Sequence, residues 1–204
     1  DHSKASFQAN GLDSTRVKKQ LKAIATVNKK LEDDGNGFRL LTGIEVDVLK
    51  KGLDLDDDLL TQLEVVVASM HVAGSEEADN TKRLIAAAEN PNVHMLGHLS
   101  GRLLLKRDPQ KLNQQAVIDA CAETGTWIEL NANPHRLDLD WRHWQYAKSK
   151  GVKCVINSDS HRHEHAGFLN LGTGVARKGW LTKGDVINTL PLSKLRRELA
   201  KKKS

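Results

Sequence analysis

Short apolar runs alternate with amphipathic ones along almost the whole 204-residue chain, and that alternation limits its fold more than any other feature. Residues 14–33 place Val17, Leu21, Ile24, Val27 and Leu31 at helical spacing, with Ser14 or Thr15 as the expected cap. Asp34-Gly35-Asn36-Gly37 stops that helix. The same reading predicts strands over 39–46, 64–69, 93–97, 126–130 and 152–157. Helices are predicted over 56–63, 76–90, 110–124, 139–150, 182–190 and 192–202. The run Glu64-Val65-Val66-Val67-Ala68-Ser69 is of the continuous type that lies buried on both faces of a parallel sheet. Five such strands with helices between them predict an α/β protein with a parallel sheet or barrel. Five are too few for a closed eight-stranded barrel.

With 39% hydrophobic and 28% charged residues, the composition is that of a folded globular chain, which excludes collagen-like and disordered classes. No apolar run approaches the ~18 residues of a membrane span, so no membrane partner is expected. Cys121 and Cys154 both lie in apolar stretches. They fit a reducing, cytoplasmic setting rather than a disulfide framework. The net charge of +5 is concentrated in residues 193–204 (SKLRRELAKKKS), outside which acids and bases balance. That basic tail is expected to be a solvated, frayed terminus, with nucleic-acid contact as its other use. The opening Asp1-His2-Ser3, without an initiator methionine, points to processing or truncation.

Chemistry-bearing residues sit where the predicted strands end. The first ends in Gly43-Ile44-Glu45-Val46-Asp47, the second in Ser69-Met70-His71, the third in Gly97-His98. The fourth ends in Asn131-Ala132-Asn133 and the fifth in Ser158-Asp159-Ser160-His161. Carboxyl ends of parallel strands gather on one rim, so Glu45, His71, His98, Asp159 and His161 should converge, with His2 joining them. Imidazoles and carboxylates crowded together repel and desolvate one another unless a cation lies among them. Mixed N/O donors suit divalent Zn, Mn or Fe, and a carboxylate such as Glu45 can bridge two ions for phosphoryl displacement. Arg102 and Arg136 follow the third and fourth strands and are candidate phosphate contacts. Lys178, beside Trp180, is a candidate nucleotide contact. His94 is expected to be structural, and His163 and His165 to be exposed loop residues. No Gly-rich phosphate loop or nucleophilic Ser or Cys signature is present.

These motifs, in this order, resemble the PHP (polymerase and histidinol phosphatase) superfamily of metal-dependent phosphoesterases. The likeness is greatest to the C-terminal PHP domain of bacterial family X DNA polymerases. Gly101-Arg102-Leu103-Leu104, the stretch Asn131 to Leu139, the stretch Gly172 to Leu181 and Asn188-Thr189 also look like that subfamily. The resemblance implies a distorted (β/α)7 barrel and up to three Mn or Zn ions. Glu45, His71 and His98 would serve one ion, Asp159 with Glu45 a second, and His2 with His161 a third. Glu45 and Asp159 would be the catalytic carboxylates. The family's upstream His-x-His strand is not in this chain. The expectation is therefore an N-terminally truncated PHP domain over 1–192, lacking its first strands, followed by the basic tail over 193–204. The implied function is hydrolysis at DNA 3′ ends, with a polymerase domain in cis or in trans. The alternatives are a stand-alone phosphatase on a small phosphomonoester such as histidinol phosphate, or a catalytically incomplete scaffold.

Overall fold

The computed structural model describes residues 1–202. Its strands are β1 (Gly43–Leu49), β2 (Gly52–Leu53), β3 (Val65–Ser69), β4 (Met95–Leu96), β5 (Trp127–Asn131) and β6 (Cys154–Asn157). Its α-helices are α1 (Ser14–Asp33), α2 (Asp57–Leu60), α3 (Glu77–Glu89), α4 (Gln114–Thr124), α5 (Trp141–Ser149), α6 (Leu169–Lys178) and α7 (Leu192–Lys201). The strands form one sheet in the order β2-β1-β3-β4-β5-β6. Every pair is parallel except the β1–β2 hairpin. Residues 1–3 run parallel to the start of β1, bonded through Ser3 N to Glu45 O and Glu45 N to Asp1 O, both 2.9 Å. Among the described residues no helix is long and apolar enough to cross a membrane.

Side chains alternate across a strand, and the two faces of this sheet differ sharply. One presents Ile44, Val46, Val66, Ala68, Leu96, Ile128, Leu130, Cys154 and Ile156, all buried in the main core. The helices α3, α4, α5 and α6 contribute Leu84, Val117, Ile118, Trp144 and Ala176 to that core. The other face is apolar where the strands begin, with Met95, Trp127 and Val155 buried against Ile187 and Leu199. Further along the same face come Glu45, Glu129, Asn131 and Asn157, the polar floor of a cleft.

Several boundaries differ from the sequence expectation, each for a local reason. The first strand runs over 43–49 rather than 39–46, and before it the N–H groups of Leu40 and Thr42 bond to side chains rather than to a neighbouring strand. Thr42 N donates to Glu64 Oε2 at 2.9 Å, and Leu40 N to Asn28 Oδ1 at 2.9 Å. Asp13, not Ser14 or Thr15, caps α1, accepting from Arg16 N at 2.8 Å. The helix expected over 182–190 is two short 3-10 turns, Lys183–Asp185 and Ile187–Thr189. Between them Val186 bridges to Cys154, and Asn188 satisfies the open edge of β6 through Ile156 N (2.7 Å) and Ile156 O (2.9 Å). Helix α6 has no strong sequence signal because Gly172 and Gly174 lower its propensity. A Cβ on Gly172 would lie 2.5 Å from Ile156 Cγ2 and 2.8 Å from Ala132 Cβ, so α6 approaches the sheet through that gap.

The expected frayed terminus is packed as far as it is described. Helix α7 buries Leu199 against the sheet, and Lys202 Nζ donates to Ala88 O and Thr124 O, both at 3.0 Å. Residues 203–204 of that basic tail lie outside the described residues.

Candidate metal centre

Glu45 stands in the middle of β1, not at its end, with its carboxylate over the polar face of the sheet. His98 Nε2 lies 3.0 Å and His71 Nε2 3.3 Å from Glu45 Oε1, while His2 Nδ1 lies 3.6 Å from Oε2. The imidazole rings are neighbours as well, with centroids 5.3 Å apart for His2–His71 and 5.1 Å for His71–His98. Three imidazoles, from residues 2, 71 and 98, therefore meet around the Glu45 carboxylate. His161 joins at the edge, its ring centroid 5.9 Å from that of His2. The surrounding cleft has a volume of about 430 Å³, and its lining includes His2, Glu45, His98, Glu129, Asn157, Asp159 and His161.

The electrostatics follow from this crowding. Burial pushes the Glu45 carboxyl up, but hydrogen bonds from His71 and His98 outweigh it and hold the group well below the usual carboxylate range. Burial pulls the His71 imidazole down, and its bonds to Asp47 and Glu45 reverse that and raise it to about 9. His98, wholly buried, is raised by its bond to Glu45 against the same burial. His2 is lowered by burial, more than Glu45 raises it. The Glu129 carboxyl is pushed up by burial.

The donor set fits a divalent ion. The ligand atoms of His2, Glu45 and His71 all lie within 4.8 Å of one another. His2 Nδ1, which faces Glu45 Oε2 at 3.6 Å, is buried without a hydrogen-bond partner. Orphaned nitrogens of this kind cost free energy unless something accepts their lone pairs. Imidazole nitrogens with carboxylate oxygen are the donors that Zn and Mn take.

Asp159 and His161 form a second lobe. Asp159 Oδ2 accepts from Asn131 Nδ2 at 3.1 Å and faces Arg136 Nε at 3.4 Å. Its backbone is left-handed, with φ of 50°, which turns the side chain back over the sheet. His161 is more than half exposed, with Nδ1 3.0 Å from Asp159 O. His2, grouped by the resemblance with His161, thus stands nearer Glu45 and His71 as well.

The flanking cations divide. Arg136 borders the lobe through Asp159. Arg102 is turned to another purpose: Nε donates to Arg136 O at 2.8 Å, Nη1 to Asp140 and Nη2 to Leu137 O. Those bonds brace the loop after β5 and leave the expected phosphate contact of Arg102 without support. Lys178 lies over the Trp141 ring, 4.6 Å from its centroid, and is not among the residues lining the cleft. His94 is buried, with Nδ1 accepting from Val66 N at 3.1 Å, in keeping with a structural role. His163 and His165 lie in a short 3-10 segment, where His165 stacks on Phe168.

Sequence reasoning passed over the residues that hold the cluster in place. Asp47 Oδ1 takes His71 Nδ1 at 2.6 Å, while Asp47 Oδ2 accepts from Ser6 Oγ at 2.6 Å. Glu129 Oε2 accepts from His98 N at 2.6 Å, and Asn157 Nδ2 donates to Glu129 Oε1 at 2.9 Å. The available signal was parity. In Trp127-Ile128-Glu129-Leu130-Asn131, the polar residues fall two apart on one face of a strand buried throughout.

No family model matches the chain. It is 39% identical over 194 residues to a protein of Bacillus subtilis (strain 168) named "DNA polymerase/3'-5' exonuclease PolX", covering 94% of this chain and 33% of that protein. A "Probable phosphatase" of Thermoanaerobacter sp. (strain X514) is 30% identical over 187 residues, covering 86% of this chain and 74% of that one. Another "Probable phosphatase", of Clostridium acetobutylicum, is 31% identical over 133 residues, 60% of this chain and 52% of that one. The chain spans about a third of the length of the Bacillus relative it matches. With the motif order, the convergent histidines and these relatives together, the chain belongs to the PHP superfamily and is related to the PHP domain of family X DNA polymerases.

Proposed function

We propose that the chain is a divalent-metal-dependent phosphoesterase that hydrolyses phosphate esters at the 3′ end of DNA, working with a polymerase domain in cis or in trans. The observation that carries this reading is the meeting of His2, His71 and His98 on Glu45 within one open cleft. The proposal takes the sheet as part of a distorted (β/α)7 barrel over residues 1–192, with the basic segment 193–204 appended.

His2, Glu45, His71 and His98 would hold the principal ion, and Asp159 and His161 would extend the site toward a total of up to three, Mn or Zn. Bound there, such ions polarise the phosphoryl group and acidify water. The chain's own residues do the rest. Glu45 supplies the central negative charge. Asp47 fixes the His71 ring so that Nε2 faces Glu45. Glu129 takes the backbone N–H of His98 and so sets where that imidazole enters the cleft. Arg136, 3.4 Å from Asp159, would offer its guanidinium to a phosphate oxygen.

A second reading, hydrolysis of a small phosphomonoester, is favoured by the phosphatase relative of which the chain covers 74%. One experiment separates the two. The chain with Mn²⁺ or Zn²⁺ is given a 5′-labelled oligonucleotide and, in parallel, a set of phosphomonoesters that includes histidinol phosphate. Stepwise shortening from the 3′ end, abolished in Glu45→Gln, is expected. Turnover of the monoesters alone would move the assignment to the phosphatase reading, and turnover of neither would leave a scaffold.

A further inference from the structure

A second concavity lies between the β1–β2 hairpin and α3, outside the cluster. It has a volume of about 430 Å³, and its charged lining is Lys50, Lys51, Asp79, Lys82 and Arg83. Four cations thus face one carboxylate, in a chain whose charges otherwise balance outside the terminal segment. Lys50, Lys51 and Lys82 are exposed, and none makes an ion pair among the described residues. In and just after α7, Arg196 lies 3.9 Å from Glu64, Lys201 pairs with Glu198 at 2.7 Å, and Lys202 is spent on two carbonyls.

Arg83 sharpens the case. It is 8% exposed, and no carboxylate pairs with it among the described residues. Nη1 and Nη2 each reach Val72 O at 3.1 Å, Nη2 also reaches Val48 O, and Nε is buried without a partner. Buried guanidinium groups are ordinarily paired. Here a buried cation and three unpaired lysines face the same space, a field that attracts anions. The position is also informative. Val48 follows Asp47 and Val72 follows His71, so the concavity opens directly behind the two segments that carry the cluster.

We infer that this cleft is a phosphate-binding site that grips the backbone of a nucleic-acid strand whose 3′ end lies at the Glu45 cluster. The assignment of a strand rests on the phosphoesterase reading above; the anion-binding character rests on the cleft alone. A lone small phosphate would use the same chemistry, and the test distinguishes them.

The test compares the full chain with Lys50→Ser/Lys51→Ser/Lys82→Ser, which leaves Arg83 and the cluster untouched. A second variant, Lys194→Ser/Arg197→Ser, controls for charge removed elsewhere. Binding of a 5′-fluorescein 20-nucleotide single strand is followed by anisotropy in EDTA, and hydrolysis of bis(4-nitrophenyl) phosphate with Mn²⁺ reports the cluster separately. The triple variant is expected to bind the strand at least tenfold more weakly. The slope of log affinity against log salt should fall by about 2, because each of the three phosphates that the lysines no longer neutralise takes ~0.7 from it. Ester hydrolysis should stay within twofold of the parent. Unchanged strand affinity in the triple variant, or an equal loss in the control, overturns the inference. So does displacement of the strand by millimolar inorganic phosphate at constant ionic strength, which would make this a small-phosphate site. Loss of strand binding in the triple variant when even the parent hydrolyses no ester would support the cleft while overturning the phosphoesterase reading.

Discussion

Asp47 shows how much of the candidate site depends on a residue that offers nothing to an ion itself. It is buried, it receives Ser6 Oγ, its own N–H donates to Ser3 Oγ at 3.0 Å, and its remaining oxygen holds His71. Carboxylate support of a ligating imidazole is typically worth 10–100-fold in metal affinity. Asp47→Asn is therefore expected to weaken Mn²⁺ or Zn²⁺ binding by that factor in calorimetric titration, with the fold retained. An unchanged affinity would remove Asp47 from the site. Arg102 carries the opposite expectation. Its bonds to Asp140, Arg136 O and Leu137 O brace a loop, and Arg142 and Arg102 hold the Asp140 carboxyl well below the usual range. Because Arg142 still pairs Asp140 when Arg102 is removed, the loss is that of the Arg102 hydrogen bonds, about 2 kcal/mol. Arg102→Ala should lose that much in urea denaturation while KM for a small phosphate ester stays within about twofold. A large rise in KM at unchanged stability would return Arg102 to the phosphate.

At the scale of elements, α7 is the piece whose role the sequence concealed. Its Lys- and Arg-rich composition reads as a solvated tail, yet Leu195 and Leu199 lie along the side that covers Met95, Trp127 and Val155. Those three side chains begin the face of the sheet that ends in the His–Glu45 cluster, so α7 covers the apolar half of that surface. Truncating a buried leucine leaves a cavity and costs about 2–5 kcal/mol. Leu199→Ala should lower the chemical-denaturation midpoint accordingly, and a change below about 0.5 kcal/mol would show that α7 does not help hold the sheet. Helix α1 was readable because Val17, Leu21, Ile24 and Leu31 keep helical spacing on one side, although Val17 alone is fully buried and Val27 is exposed. Helix α6 was not, because Gly172 is selected by contact with Ile156 and Ala132 and works against local helix propensity. The two-residue strand β2 has no period to read at all.

For the molecule as a whole, the cluster ties the first residues to β1, to the loop after β3 and to the end of β4. An ion binding only this assembled set stabilises the fold by RT ln(1 + [L]/Kd), about 2.7 kcal/mol at a hundred times Kd. Mn²⁺ or Zn²⁺ should raise the thermal midpoint, EDTA should reverse the rise, and Glu45→Gln should abolish it. A midpoint indifferent to both would mean that the histidines serve only one another. The sequence by itself determined the parallel α/β class and the residues that could ligate, because apolar periodicity and donor chemistry are properties of short stretches. His71 and His98 could be named from the strand ends they follow, Glu45 from a strand expected to end beside it, and His2 from the Asp1-His2-Ser3 motif. Only the tertiary structure shows Glu45 amid the three imidazoles, Asp47 bonded to His71, Glu129 to His98, and Arg102 bonded to the loop after β5. It alone joined Lys50 and Lys51 to Lys82 and Arg83. Those outcomes depend on register between strands and on which face each side chain takes, and register is set by packing across the whole sheet rather than by neighbours in the chain.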